Sequence, residues 1–372
     1  MAARYKSFAK RFVVFLNILA SIIFLLACLA PYLNPSTWWF INLLALGFGG
    51  LFIVLILFIL FWIFAKPKYI LISLIPLLIG WKSISVFFAL NSRSAFTSNK
   101  PNDVLRVASW NVARFIEWRR NNNKGSQTRL KMLDLIKKQN ADVVLLQEFF
   151  HSTDSIYHDN LNYIIDNLRY PYYYFSWEGD GYKQWVGQAI FSRHPIIDSG
   201  IIHYPRPGMP ESLIESDIVF NKDTIRLYTT HLQSVQFRKD DYRRIEEIKS
   251  QKDSLIENSK NIFSKLKRAV IYRSRQADIT KEITSNSPYP YIFSGDLNDV
   301  PNSYTYFTIR NKLQDAFLQK GFGLGRTYSG IAPTLRIDYI LATDEFSVEQ
   351  FNRIINNYSD HYLLVADFKL KK

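Results

Sequence analysis

Residues 12–65 run for 54 positions without a charged side chain. In hydrocarbon every backbone N–H and C=O must be paired within the protein, so each half of such a run should be a helix. Pro31, Asn34, Pro35 and Ser36 interrupt it near the middle. About 20 apolar residues cross a bilayer core, which predicts spans over residues 12–33 and 38–65, the second tilted to fit its length. Trp38 and Trp39 stand where an interfacial aromatic belt is expected. A third segment, residues 69–90, is interrupted by Pro76, Gly80 and Lys82. It reads as a third span with a snorkelling lysine, or else as an amphipathic helix lying on the membrane.

Charge divides the chain at the same place. No Asp or Glu precedes Asp103, and seven of the 46 basic residues precede residue 91. The remaining 39 basic residues face 32 acidic ones, a modest excess of +7. Arg4, Lys6, Lys10 and Arg11 before the first span predict a cytoplasmic N-terminus, and Lys66 and Lys68 after the second are expected on the same side. Three spans then put everything beyond residue 91 outside the cytoplasm; two would leave it inside. A basic start before an apolar stretch also describes a signal peptide, and Leu25-Leu26-Ala27-Cys28 loosely resembles a lipoprotein processing site. The second long apolar run argues against cleavage there. Cys28 is the only cysteine, which excludes an internal disulfide framework and any multi-cysteine zinc site.

The expected organisation is a membrane anchor over residues 1–91, a polar linker over 92–102 and a catalytic domain over 103–372. In the last, short β-branched runs of strand length fall at 106–112, 142–146, 189–191, 217–220, 225–230, 291–293, 337–341 and 362–370. Leu130, Leu133 and Ile136 recur at helical spacing, and residues 240–284 read as one or two polar surface helices. Strands mixed with helices predict an α/β layered domain. Gly321-Phe322-Gly323-Leu324-Gly325 lacks the strand-turn-helix setting of a nucleotide fingerprint and reads as a loop.

Polar residues recur where apolar strands should end: Trp110-Asn111, Gln147-Glu148, Thr230-His231, Gly295-Asp296-Leu297-Asn298, Ile337-Asp338 and Ser359-Asp360-His361. Singly, each is a solvated loop or a turn. His151, His158, His194 and His203 keep a surface or packing role. Jointly the recurring groups matter, because strand ends on one edge of a layered sheet converge.

In their order along the chain, with Gly187 to Pro195 between the second and third, these motifs resemble the endonuclease/exonuclease/phosphatase superfamily. The resemblance runs from about Leu105 to Phe368. It implies a four-layer α/β sandwich of the deoxyribonuclease I type, preceded here by two to three transmembrane helices. It implies hydrolysis of phosphodiesters or phosphomonoesters assisted by Mg²⁺, with Mn²⁺ as a substitute, and a phosphate-ester substrate that is nucleic acid or a phospholipid headgroup. Mg²⁺ is a hard ion that prefers oxygen donors. By resemblance Glu148 is its first ligand, with Asn111 and Asp360 close to it or its waters. Asp296 orients and deprotonates the attacking water. Asn298 holds that water or a phosphate oxygen, His231 donates to a non-bridging oxygen, and Asn111 also faces substrate. His361 contacts the scissile phosphate, with Asp338 fixing its tautomer. Arg193 and Arg336 are either structural or phosphate-steering. Aromatics at 172–174, Trp177 and Trp185 stack on bases, insert among headgroups or pack as core. The lipid bilayer is the one further partner implied; no protein partner can be inferred. The competing reading is a non-catalytic membrane scaffold of the same fold that binds a phosphorylated ligand.

Overall fold

A computed structural model describes residues 2–92, 96–120, 126–205, 211–237, 240–241, 243, 255–332 and 334–371. Much of the predicted polar helix before Leu255, including Ile245 and Ile248, lies outside these. The chain forms two units: one comprises Met1–Phe88, Val235–Ser274 and Val300–Thr308, the other Ala89–Ser234, Arg275–Asp299 and Ile309–Lys372.

In the first unit α1 (Ala2–Cys28) is followed by α2 (Pro35–Leu46) and α3 (Phe48–Ala65). The expected single tilted helix over 38–65 is thus broken at Gly47, in a glycine-rich stretch where helix is least favoured. α4 (Leu71–Ile79) and α5 (Trp81–Phe87) follow, and the pair Pro67–Ile79 and Trp81–Phe87 is bent by 69°. The bend falls at Gly80, where a Cβ would lie 2.6 Å from the Phe24 ring and 2.9 Å from Cys28 Sγ. Glycine there lets α4–α5 close onto α1, and Cys28 is a packed residue. Successive contacts fix the helix directions. Asn17 meets Ser73, Ser21 Oγ donates to Ile72 O, and Lys82 Nζ lies 5.2 Å from the Tyr32 ring. α4–α5 therefore runs parallel to α1. Phe48 stacks with Phe24 and meets Phe87 at a tilt while Trp62 meets Tyr69, so α3 runs the opposite way. Among the described residues, Phe8–Tyr32 and Phe48–Ala65 are long and apolar enough to cross a membrane.

The second unit is built on two sheets. Its strands are β1 (Ala89–Leu90), β2 (Val104–Asn111), β3 (Val143–Ser152), β4 (Tyr172–Phe175), β5 (Glu178–Gly181), β6 (Gln184–Ser192), β7 (Ile196–His203) and β8 (Ser212–Phe220). They continue with β9 (Asp223–His231), β10 (Tyr291–Asp296), β11 (Gln314–Asp315), β12 (Phe322–Gly323), β13 (Asp338–Ala342), β14 (Phe346–Ile354) and β15 (Leu363–Leu370). One sheet has the order β14-β15-β2-β3-β6-β4, with β5 on β6; the other is β11-β13-β10-β9-β8-β7. Leu105, Val107, Val143, Leu145 and Leu364 of the first pack against Ile225, Leu227, Ile292 and Ile340 of the second. On the first sheet's other face, α6 (Thr128–Lys138) and α7 (Asn160–Leu168) bury Met132, Leu133, Ile136, Leu161 and Ile164 against Ala108, Trp110, Val144 and Leu146. On the second sheet's outer face, Tyr204 Oη bonds both Thr230 and Thr280, tying down the helical segment from Arg275 onward. Helix, sheet, sheet, helix is the expected four-layer sandwich.

Each expected strand is present. Besides the two-residue strands β1, β11 and β12, the unexpected ones are β4, β5, β7 and β14; these are largely half-exposed or exposed, and β7 carries Asp, Ser and Gly among its Ile residues. A half-wet edge strand lacks the continuous apolar run that makes a buried strand conspicuous.

Candidate active site

The period-2 alternation of the central strands carries each inter-sheet face from apolar to polar. On β2 that face reads Leu105, Val107, Ser109, Asn111, and on β3 Val143, Leu145, Gln147. On β9 it reads Ile225, Leu227, Thr229, His231, and on β10 Ile292, Ser294, Asp296. β2 and β3 are parallel, as are β9 and β10, so their polar ends lie together. Register does the rest: Asp296 pairs with His231 on one side and with Asp338 on the other, giving a row of three across the sheet. Gly295 permits the close β9–β10 contact at this point, because a Cβ there would sit 2.2 Å from Thr230 O.

Glu148 reaches the cleft by a different route. Alternation alone would turn it towards the helices with Leu146. A register shift between Leu146 and Phe149, with Glu148 at φ +49°, inserts an extra residue and returns Phe149 to the helix side. Glu148 is thereby re-aimed, its side chain 33% exposed. Gln147 Nε2 crosses to the other sheet and donates to Thr229 Oγ1 at 2.9 Å, while its buried Oε1 has no partner among the described residues.

Asn111 Nδ2 lies 3.2 Å from Glu148 Oε1 and 3.1 Å from Asp296 Oδ2. Its Oδ1 accepts from Ala113 N, so Asn111 presents an N–H, not an oxygen, to the carboxylates. Asp296 Oδ1 accepts from Asn298 N at 2.8 Å, in an Asx turn with Asn298 at φ +53°. Asn298 Nδ2 donates back to Leu232 O. His231 Nε2 stands 3.6 Å from Asp296 and 3.8 Å from Glu148. His361 Nε2 is 3.6 Å from Asp296, and its Nδ1 is 3.0 Å from both oxygens of Asp338. Trp110 Nε1 donates to His361 O, and Asp338 N donates to Thr327 Oγ1. Tyr328 packs its ring 5.0 Å from the imidazole. Thr327 and Tyr328 belong to no motif singled out in the sequence; their place beside the last strand depends on tertiary pairing.

Burial disfavours the His361 imidazolium, but Asp338 and Asp296 outweigh it and push its pKa up to about 10. Burial lifts Asp338 to about 6, against the pull of His361. At neutral pH the two form a buried imidazolium–carboxylate pair. Burial likewise opposes charging of His231, and Asp296, Glu148 and Glu211 raise it nonetheless.

Seven of the eight expected site residues therefore gather at one cleft: Asn111, Glu148, His231, Asp296, Asn298, Asp338 and His361. Asp360 differs. It is exposed, with Oδ1 3.3 Å from Ser359 Oγ, and it acts on His361 electrostatically. Arg336 is structural, buried in an ion pair with Asp315. Arg193 lies over Tyr170 and donates to Asn140. Trp177 and Trp185 pack around His151, with Trp177 44% exposed.

The donors facing the cleft from Glu148 and Asp296 are hard oxygens on two carboxylates that both accept from the Asn111 amide NH₂, a set suited to a divalent cation. A more compact group, Asp296, Asp338 and His361, has potential ligand atoms within 4.8 Å of one another. There His361 Nδ1 already engages both Asp338 oxygens, and an imidazolium repels a cation.

Compared with known families, residues 108–361 match the endonuclease/exonuclease/phosphatase family, and residues 10–87 match a family described as a domain of unknown function (DUF8431). No curated protein matches the chain. Among solved structures, an endonuclease/exonuclease/phosphatase from Beutenbergia cavernae is 20% identical, covering 72% of each chain with a TM-score of 0.52. A family protein from Bacteroides thetaiotaomicron is 15% identical, covering 72% of this chain and 98% of its own, with a TM-score of 0.49. The human Nocturnin catalytic domain with bound sulfate is 17% identical, covering 72% and 94%, with a TM-score of 0.47. The first of these likenesses supports the fold.

Proposed function

Since the chain belongs to the endonuclease/exonuclease/phosphatase family, whose members act on phosphate esters, we propose that it is a membrane-anchored, Mg²⁺-dependent phosphoesterase. The reading extends to phosphodiester hydrolysis in nucleic acid or a phospholipid headgroup, with phosphomonoesters as the neighbouring class. The observation that carries it is the row His231, Asp296, Asp338, with His361 set between two of its members and Glu148 and Asn111 opposite.

In this reading Glu148 would hold the cation, with Asn111 orienting the carboxylates. Asp360 stands further out, towards His361. A bound Mg²⁺ supplies charge neutralisation at the phosphoryl oxygens. Asp296, held by Asn298 N and Asn111 Nδ2, accepts the proton of the attacking water. The water oxygen bonds to phosphorus, the ester P–O bond opposite breaks, and the departing oxygen takes its proton from solvent. His361, cationic at neutral pH, and His231, whose proton affinity the neighbouring carboxylates raise, donate to non-bridging oxygens. Asp338 keeps His361 charged and fixes the orientation of its ring. Asn298 holds the water or a phosphate oxygen from the other side of the Asx turn.

We also read the first unit as three passes of the membrane. α1 and α4–α5 run one way, α3 the other, and the basic residues of the N-terminus and of Lys66 and Lys68 share one end. The positive-inside rule makes that end cytoplasmic and the catalytic unit extracytoplasmic. Protease protection of the C-terminal region in intact spheroplasts would overturn this.

The deciding experiment is hydrolysis of bis-p-nitrophenyl phosphate by the full chain, with Mg²⁺ and with EDTA. Plasmid DNA, abasic DNA, sphingomyelin and inositol phosphates then serve as a panel. Metal-dependent turnover lost in Asp296→Ala is the expected result. No turnover on any substrate would favour the scaffold alternative.

A further inference from the structure

Polar side chains inside an apolar helical unit are costly unless they are bonded. In the first unit, two of them join the helices to the segment Val300–Thr308, which begins two residues after Asn298: Asn302 from the segment and Asn42 from α2. Asn302 is fully buried, and its Nδ2 donates to Ala27 O at 3.0 Å. Ala27 belongs to the last turn of α1, where carbonyls have no partner within the helix. Asn302 thus caps the C-terminus of the first long apolar helix. In the other direction, Asn42 Oδ1 accepts from Tyr304 N at 3.3 Å. Tyr304 opens the helix Tyr304–Arg310, whose first N–H groups are equally unpartnered by the helix itself.

Asn42 is buried within α2 and also donates to Leu33 O at 2.9 Å. Asn34 Nδ2 reaches Tyr304 Oη at 3.4 Å, and Tyr32 packs against Phe307 with Lys82 over both rings. Asn302 stands four residues beyond Asn298, so fully extended chain allows a separation of only about 14 Å. A segment capped from both directions restrains the turn that precedes it.

We propose that the segment Val300–Thr308, continuous in sequence with the active-site turn, is locked by reciprocal capping within the first unit and so anchors that turn at its C-terminal end. Asn302 and Asn42 are positioning residues that, through reciprocal helix capping, hold the chain following Asp296-Leu297-Asn298 in its productive conformation. The catalytic half of this statement rests on the function proposed above; the capping half does not.

The test uses the full chain in lipid nanodiscs, with Asn302→Ala and Asn42→Ala and with Ser73→Ala as control. Ser73 bonds Asn17 and does not touch the segment. Hydrogen exchange across residues 299–308 is expected to accelerate in both Asn variants and to stay unchanged in the control. On bis-p-nitrophenyl phosphate, kcat is expected to fall about 10–100-fold with KM within about twofold, the mark of misplaced groups rather than lost binding. Unchanged exchange in both variants overturns the proposal. So does accelerated exchange with wild-type kcat. A wild-type chain with no metal-dependent turnover refutes the functional reading instead, and exchange alone then decides the capping.

Discussion

His361 Nδ1 lies 3.0 Å from both carboxylate oxygens of Asp338, while the opposite nitrogen of the same ring faces Asp296 at 3.6 Å. Asp338 therefore raises the proton affinity of His361 as well as fixing its ring. Asp338→Asn removes the largest of the attractions that keep the imidazolium charged up to about pH 10. A group whose pKa is raised in the folded enzyme loses its charge as pH rises through that value. In the variant the alkaline fall of kcat should move towards the ordinary histidine range, near pH 6.5. The check is a pH–rate profile from 6 to 10; an unmoved alkaline limb removes Asp338 from this role.

Asp296→Ala and His361→Ala should each lower metal-dependent hydrolysis by about 10²–10⁴-fold. Circular dichroism should be unchanged, because both side chains sit at the polar end of the inter-sheet face, beyond its apolar residues. Full activity in either purified variant would refute the assignment.

For Glu148→Gln the effect should fall on metal affinity. The amide keeps the shape and loses the charge, so half-maximal activity should require more Mg²⁺, with rate recovering at saturation. Activity titrations with Mg²⁺ after EDTA treatment measure this. An unchanged titration takes Glu148 off the ligand list.

Much of this cleft is legible in the sequence for one physical reason. A strand crossing a packed sandwich alternates apolar residues on its inward face, and that face turns polar towards the opening, first with a small buried hydroxyl (Ser109, Thr229, Ser294) and then with a larger polar or charged group. Asn111, His231 and Asp296 are found this way. Glu148 is not: its direction depends on the bulge between Leu146 and Phe149, and no local pattern announces an extra residue. Nor does sequence show that Asn111 spends its oxygen on Ala113 N, or that Asp360 points out into solvent. These depend on turn geometry and cross-sheet neighbours. The capping of α1 by Asn302 links residues 275 positions apart, beyond the reach of any periodicity.

Gly295→Ala should destabilise the second unit. The added Cβ would meet the Thr230 carbonyl at 2.2 Å, and backbone on a paired strand cannot yield as a side-chain tip can. The expected loss is about 1–3 kcal/mol or more, with the separation of His231 and Asp296 disturbed as well. Thermal denaturation should show a lower Tm, and activity should fall even below it. A wild-type Tm would mean that β9 and β10 separate without cost.

Glu178 offers a pH test on a group outside the proposed catalytic set. It is half-buried beside Ser212, and burial, assisted by the nearby Glu211, raises its pKa from 4.5 to about 7 despite the Ser212 hydroxyl and His231. Between those two values the folded chain binds more protons at this site than the unfolded chain does. Its contribution to stability is therefore greatest below about pH 4.5, declines as pH rises to about 7, and is flat beyond. Glu178→Gln abolishes the titration and keeps a hydrogen-bonding group near Ser212. Relative to wild type, the variant's Tm should rise progressively between pH 5 and pH 8 and then hold constant. A Tm difference independent of pH over that range would show that Glu178 ionises in the folded chain as it does in the unfolded one.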